Sequence, residues 1–468
     1  MAVPNPNLTF TVTPPNGTAQ DYTKYLAWSG ATNALTINQN FGRQGDTANF
    51  PLIDDYQGQT SPNIHIPVMS QVKLIDNNLG GKVLFAGVCN DPTLVVHSPT
   101  LNEWDLKCTD YTFYADNIIV NGTYNGLTTD NIIVRLTQLA NCGITAKTVR
   151  NGGYVAPGPQ LTSFVLNYTT LADAWRKLAQ LAGQATPYGW YVDDTRNLHF
   201  YDAGTAVSSG VTFTTSPTAV DGSATEGHVA YESFAYEWDG ASVRNRILVQ
   251  GANQVYYHGT ALKTTPTDTF VGDGNRTSWP LRYVLNGTPE LYVRGVKQTV
   301  TVLQAGQQNS NTGTWRAIQN TVGQWFLTTT SAPGSGVPIK VWYNYEVPVV
   351  AQANDHPSQS TYNGPNGGVF EEYINDSTLT TVPMALARAM RERTEYAFAP
   401  ERFTFTTTED WYGWVRSGET FKVTNKFVPD ASAGYTWGLT NEPFLCISNS
   451  ITFGPGGYRT MQMTGVRI

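Results

Sequence analysis

Paired carboxylates, cysteines and histidines are the side chains of this 468-residue sequence that could carry chemistry, so their spacing is taken first. Glycoside hydrolysis needs two carboxylates held roughly 5 to 10 Å apart, one with a raised pKa. The acidic pairs here are adjacent residues: Asp54 with Asp55, Glu371 with Glu372, and Glu409 with Asp410. Neighbours on a strand point to opposite faces, so these pairs read as turn or surface carboxylates. A cysteine protease would need a thiolate beside a histidine. Cys142 stands just before Gly143 at the end of a helical pattern, and His97, His199 and His228 have no catalytic signature around them. There is no G-x-S-x-G elbow, no H-E-x-x-H and no phosphate-cradling glycine loop. Gly272-Asp273-Gly274 and Asp193-Asp194 offer carboxylates to calcium without the spacing of a dedicated loop. Cys89, Cys108, Cys142 and Cys446 are far apart, form no C-x-x-C pair, and read as buried thiols rather than zinc ligands. The expectation is a protein that is not an enzyme, with no catalytic, cofactor or metal residues.

Composition says what kind of scaffold carries these residues. Charged residues make up 14%, against roughly 25% in ordinary soluble domains, while Gly, Asn, Thr, Tyr and Trp abound. That balance favours β-structure with many turns and an uncharged polar surface. A net charge of −7 argues against a protein that grips nucleic acid through phosphates, since such domains carry a basic patch and no Lys/Arg run exists here. Met1 to Thr13 is polar, unlike the apolar core of a signal peptide. No apolar run approaches the roughly 20 residues that cross a bilayer. A soluble protein made in the cytoplasm, without membrane insertion, is expected.

At this length two to four domains are expected. Residues 1–126 read as a β-barrel-like domain, with short alternating runs such as Ala48 to Leu52 and a hairpin Gln71–Ile75 to Lys82–Val88 across the turn Asp76 to Gly81. Residues 127–215 read as a small α+β domain. Ile132, Ile133, Leu136 and Leu139 make one helical stripe ending near Gly143. Thr170 and Asp173 open a second helix through Trp175 and Leu178, and a hairpin turns at Asp194 to Asn197. Residues 216–262 and 348–468 read as a second barrel-like domain, with an exposed loop from Gln352 to Gly368 and a helix over 381–396 carrying Arg388, Arg391 and Arg393. Residues 263–347 read as an inserted β-sandwich. No repeat of fixed period is visible. Dense aromatics in the insertion (Trp279, Tyr292, Trp315, Trp325, Trp342, Tyr345) raise an alternative: a host-surface carbohydrate-binding or cell-wall-degrading protein, if two or more prove exposed and coplanar.

Three stretches carry a family resemblance. "NFGRQGDTANFPLIDD" with "VMSQVKLIDNNLGGKVLFAGVC" is similar to the opening barrel of phage tail hub proteins, from the baseplates or tail tips of contractile and long non-contractile tails. "TLADAWRKLAQLAGQATPYGWYVDDTRNLHFYD" resembles that family's helix, W-x-V-D strand, turn and L-x-F strand. "INDSTLTTVPMALARAMRERTEYAFAPERFTFTT" through "VRSGETFKV" resembles its closing helix and strands, and the insertion, through "FVGDGNRTSWPL" and "LYVRGVKQ", resembles small sandwich modules of tail proteins. The resemblance implies a mainly β, multidomain chain with two tube-type domains. It implies a homotrimeric ring in the virion that joins a hexameric tail tube to a central spike or fibres. The expected partners are then the tail tube or distal tail protein, tip, spike or fibre proteins, and the tape-measure protein, with DNA passing through the channel during ejection without specific binding.

Overall fold

The computed structural model describes residues 7–28, 34–42, 45–57, 62–183, 188–214, 228–230, 233–256, 266–305, 314–363, 367–407, 415–430, 436–454 and 459–468. The chain forms two units. One holds Met1–Leu248, Gln352–Glu372 and Leu386–Ile468, and the other holds Val249–Ala351 and Tyr373–Ala385.

The first unit is mainly β. Alternating buried and half-buried residues, as in Ser70–Asp76, give a strand one apolar face, and fourteen strands join one sheet. Ten of them make two lobes with the same plan. The N-terminal lobe has β1 (Thr36–Asn40), β2 (Thr47–Asp55), β3 (Ser70–Asp76), β4 (Lys82–Ser98) and β5 (Leu101–Asp110), in spatial order β1-β2-β5-β4-β3. The C-terminal lobe has β6 (Ser233–Trp238), β7 (Glu401–Thr407), β8 (Thr420–Asp430), β9 (Thr436–Phe453) and β10 (Arg459–Arg467), in spatial order β6-β7-β10-β9-β8. Every one of these pairings is antiparallel. A further strand flanks each lobe, Leu8–Thr13 beside β3 and Ser208–Thr214 beside β8, the first antiparallel and the second parallel.

The likeness of the lobes extends to irregularities. The ladder of β4 with β5 slips between Cys89 and Asp91, and that of β9 with β10 slips between Cys446 and Ser448. Met69 N–H donates to Cys89 O at 2.8 Å, and Gly418 N–H donates to Cys446 O at 2.7 Å. Both donors sit at positive φ, 67° and 93°. A bulge is a built feature of a sheet, so its recurrence at one place in both lobes marks equivalent positions. A short crossing segment flanks each lobe. Residues 20–28 touch Leu8–Thr13 on one side and Leu52 on the other, while 228–230 pairs with Ser208–Thr214 and β6 pairs with β7. The lobes are therefore barrel-like, though neither closes among the described residues. Phe10, Phe50, Leu106, Phe213, Phe405, Phe421 and Phe453 are fully buried in one core that both lobes share.

Between the lobes lies the α+β part. Strands Ile119–Thr128 and Gln160–Thr170 pair, helices Thr129–Ala140 and Leu171–Ala182 follow them, and Tyr188–Val192 pairs with Leu198–Asp202. The second helix starts where Thr170 Oγ1 accepts from Asp173 N–H at 3.1 Å. Its buried Trp175 donates to Thr137 Oγ1 at 3.2 Å. The first helix ends on Asn141, which takes the left-handed cap conformation in place of Gly143. Gln352 to Gly368, expected as a loop, begins as the end of the strand Pro338–Asn354, whose Ala351 and Ala353 are buried, and continues into a helix His356–Thr361 capped by Asp355. The helix expected over 381–396 spans Val382–Tyr396.

The second unit has its own core of Trp279, Leu291, Trp315, Ala317, Trp325, Leu327, Ile339 and Val341. Its strands form a six-stranded and a four-stranded sheet.

Candidate functional site

A concentrated polar arrangement of the first unit stands where its three parts meet. Asp46 immediately precedes β2, Asp110 ends β5, Tyr191 and His199 come from the α+β hairpin, and Arg416 precedes β8. Backbone fixes the meeting point: Phe41 N–H donates to Ile447 O at 3.1 Å, and Gly42 N–H to Trp190 O at 3.2 Å. Close approach is possible because two residues against Phe41 are glycines. A Cβ on Gly189 would stand 2.1 Å from its ring, and one on Gly418 would stand 2.7 Å from it.

Arg416 ties the three parts together. Its guanidinium lies 3.4 Å from the Asp46 carboxylate, donates to Val192 O at 3.3 Å, and sits 4.4 Å over the ring of Tyr191. Its backbone N–H donates to Glu419 at 2.8 Å. Behind Tyr191 the column continues outward, with His199 stacked at 4.4 Å and Tyr154 beyond it at 4.1 Å. His199 pairs with Asp193 at 3.0 Å. Burial, and secondarily the nearby Asp46 charge, push the Asp110 carboxyl up to about 8, so it holds its proton at neutral pH. Burial also raises Asp46, against the pull of Arg416. Burial works against the charge of Arg416, but Asp46, Tyr191, Asp110 and Glu419 outweigh it and raise its pKa. The cavity left among Gln39, Asp46, Asp110, Asp194 and Arg416 measures about 10 Å³. That is room for a single water and not for a substrate. The arrangement locks three parts of a chain; it offers no nucleophile to a solvent-open cleft.

The residues singled out from the sequence are dispersed. Asp54 is buried and accepts from the backbone of Asn63 and Ile64 at 2.7 and 3.0 Å. Glu371 is exposed and pairs with Arg246, and Glu409 and Asp410 lie outside the described residues. Cys89, Cys108 and Cys446 are buried thiols, and Cys142 is half-buried. His97 pairs with Glu103 at 2.8 Å, and the side chain of His228 lies outside the described residues. Asp193 accepts from Thr195 and Asn197 in its own turn, Asp194 pairs with Lys73 at 3.1 Å, and Asp273 caps the turn at Asn275 and Arg276. Among the described residues no three His, Cys, Asp or Glu side chains gather as a metal would require. No helix of the described residues is long and apolar enough to cross a membrane. Arg388, Arg391 and Arg393 face Glu392, Glu395 and Asp355.

The aromatics of the insertion form no flat exposed platform. Trp279, Trp315 and Trp325 are core, Tyr292 and Trp342 meet at 82°, and Tyr345 is stacked on Tyr283 at 4.3 Å. Sequence reasoning missed Asp46, Asp110 and Arg416, although the stretches "GDTANF" and "VRSGETF", which contain Asp46 and Arg416, are among those carrying the resemblance.

No protein-family model matches the sequence, and no curated protein matches it. Solved structures do. The 43 kDa tail protein of prophage MuSo2 from Shewanella oneidensis superposes with a TM-score of 0.53 at 12% identity, over 98% of each chain. A tail protein from Neisseria meningitidis MC58 superposes with a TM-score of 0.50 at 10% identity, over 98% of this chain and 96% of that one. From its opening strands to its closing hairpin, the chain has the fold of these phage tail proteins.

Proposed function

We propose that the chain is the structural hub of a phage tail tip or baseplate, assembled as a trimeric ring that joins the hexameric tail tube to the central spike or fibres and surrounds the channel for DNA ejection. The observation that carries this reading is the doubling of one strand plan within a single chain. Three copies present six similar lobes, the number needed to match a sixfold tube from a threefold base. The three-way lock at Arg416 supports a structural part, because it fixes lobes and α+β part by contacts that leave no substrate space. On this reading the tube or distal tail protein, the tip, spike or fibre proteins and the tape-measure protein are the partners, and DNA passes without specific binding. Residues 263–347 are a module added to that ring. The sugar-binding alternative is not favoured, since Trp279, Trp315 and Trp325 fill a core. Gold-labelled antibody against the protein should mark the far end of the tail in intact particles. Label on the capsid, or along the whole tail, would contradict the assignment.

A further inference from the structure

Equivalence between the lobes can be followed residue by residue. In the N-terminal lobe Ile37 stands opposite Ala48, Ala48 opposite Cys108, and Cys108 opposite Cys89. In the C-terminal lobe Tyr236 stands opposite Phe403, Phe403 opposite Gly465, and Gly465 opposite Cys446. The recurrent bulge follows Cys89 and Cys446 alike. Ile37 thus corresponds to Tyr236, Leu94 to Ile451, and Val96 to Phe453.

Inside the chain the lobes are joined by one of these elements meeting another. β1 pairs antiparallel with the distal half of β9, with Ile37 opposite Ile451. That edge of β9 carries β8 first and β1 beyond it, while β10 takes the opposite edge. Ile451 and Phe453 are each 1% exposed as a result. In the N-terminal lobe the corresponding edge of β4 carries β3 as far as Cys89, and among the described residues no strand continues it from Asp91 to Ser98. Leu94 and Val96, which answer to Ile451 and Phe453, are 46% and 64% exposed. The counterpart of β1 is β6, whose pairing among the described residues runs along β7 alone.

We propose that β6 of one copy pairs antiparallel with Asp91–Ser98 of the next copy, so that the contact between chains repeats the contact between lobes. The proposal rests on the ring reading above and names the surface that would build it. Transferring the register of β1 on β9 sets Tyr236 opposite Leu94, Ala235 opposite Val95 and Glu237 opposite Thr93. Strand addition of this kind supplies backbone hydrogen bonds for affinity and side-chain contacts for register. Leu94 and Val96 then continue the apolar face that Ile451 and Phe453 continue within the chain. Pro92 falls opposite Trp238 at one end and withholds one donor there, which limits the ladder to the residues beyond it. Because the contact is head-to-tail, equal steps within and between chains close into a ring rather than a dimer.

The test uses the full chain carrying Val95→Cys and Ala235→Cys, oxidised at a concentration where native mass measurement shows an oligomer. The expected result is disulfide-linked bands at twice and three times the 51.3 kDa chain, with Val95→Cys or Ala235→Cys alone giving none. Leu94→Asp in the otherwise native chain is expected to yield folded monomer. An oligomer whose paired cysteines remain reduced, or link within one chain, overturns the strand pairing and leaves the hub reading standing. A chain that is monomeric throughout the micromolar range and also absent from tails overturns both.

Discussion

Asp110 shows what a single residue contributes to the lock. Its carboxyl accepts from Thr112 N–H at 3.0 Å and from the Thr112 hydroxyl, and it is held protonated to about pH 8 by burial and by Asp46. The unfolded chain releases that proton near pH 4, its ordinary value. Folding therefore takes up a proton over the window from about 4 to 8, and this residue's contribution to stability falls as pH rises through it. Asp110→Asn keeps the acceptor for Thr112 and removes the titration. Its denaturation midpoint is expected to fall less than that of the native chain between pH 5 and 8; an unchanged difference between the two pH values would show that Asp110 ionises freely. Nothing in the sequence announced this group. Asp46, Asp110 and Arg416 are far apart along the chain, and isolated Asp and Arg residues carry no periodicity that could bring them together.

Elements were easier to read where one local rule decides them. The helix Leu171–Ala182 was legible from its Thr170 and Asp173 cap and the spacing of Leu171, Trp175 and Leu178, and the hairpin after it from the Asp194 to Asn197 turn. The long strand β4 was underestimated, because past its bulge the alternation weakens and only a partner strand holds it extended. The repeated lobe plan left no trace as a sequence period: insertions of different length separate the equivalent strands, and a strand asks only for alternating polarity. Gly418 and Met69 test the equivalence of the two bulges. At Gly418 a side chain would be strained at φ +93° and would stand 2.6 Å from Tyr201 Oη, so Gly418→Ala is expected to destabilise by more than about 1 kcal/mol. At Met69 the same backbone conformation already bears a side chain that is 43% exposed, and Met69→Gly is expected to be neutral or stabilising by up to about 1 kcal/mol. Thermal melts of the two variants should move in opposite directions or leave Met69→Gly unmoved; a Gly418→Ala chain as stable as the native one would refute the packing at Phe41.

At the scale of the whole molecule, charge bears on the proposed passage of DNA. The chain has 36 acidic against 29 basic residues, and the arginines of the helix Val382–Tyr396 are engaged by carboxylates. A channel that held phosphates would add salt-dependent affinity and hence friction. The protein is therefore expected to show no submicromolar binding to duplex DNA at low salt, and tight binding that weakens with salt would contradict a neutral or acidic lumen. Tail fold and mainly β class were legible from the order and texture of the motifs. The joining of both lobes into one fourteen-stranded sheet was not, because it depends on the pairing of Ile37 with Ile451, more than four hundred residues apart in sequence. The central claim is that two similar lobes per chain make a sixfold-compatible ring from three chains. Electron cryo-microscopy of the tail end, averaged without imposed symmetry, tests it most directly. The account predicts three copies of this chain about the tail axis with six lobes around one channel, whereas six copies, or a single copy off the axis, would contradict it.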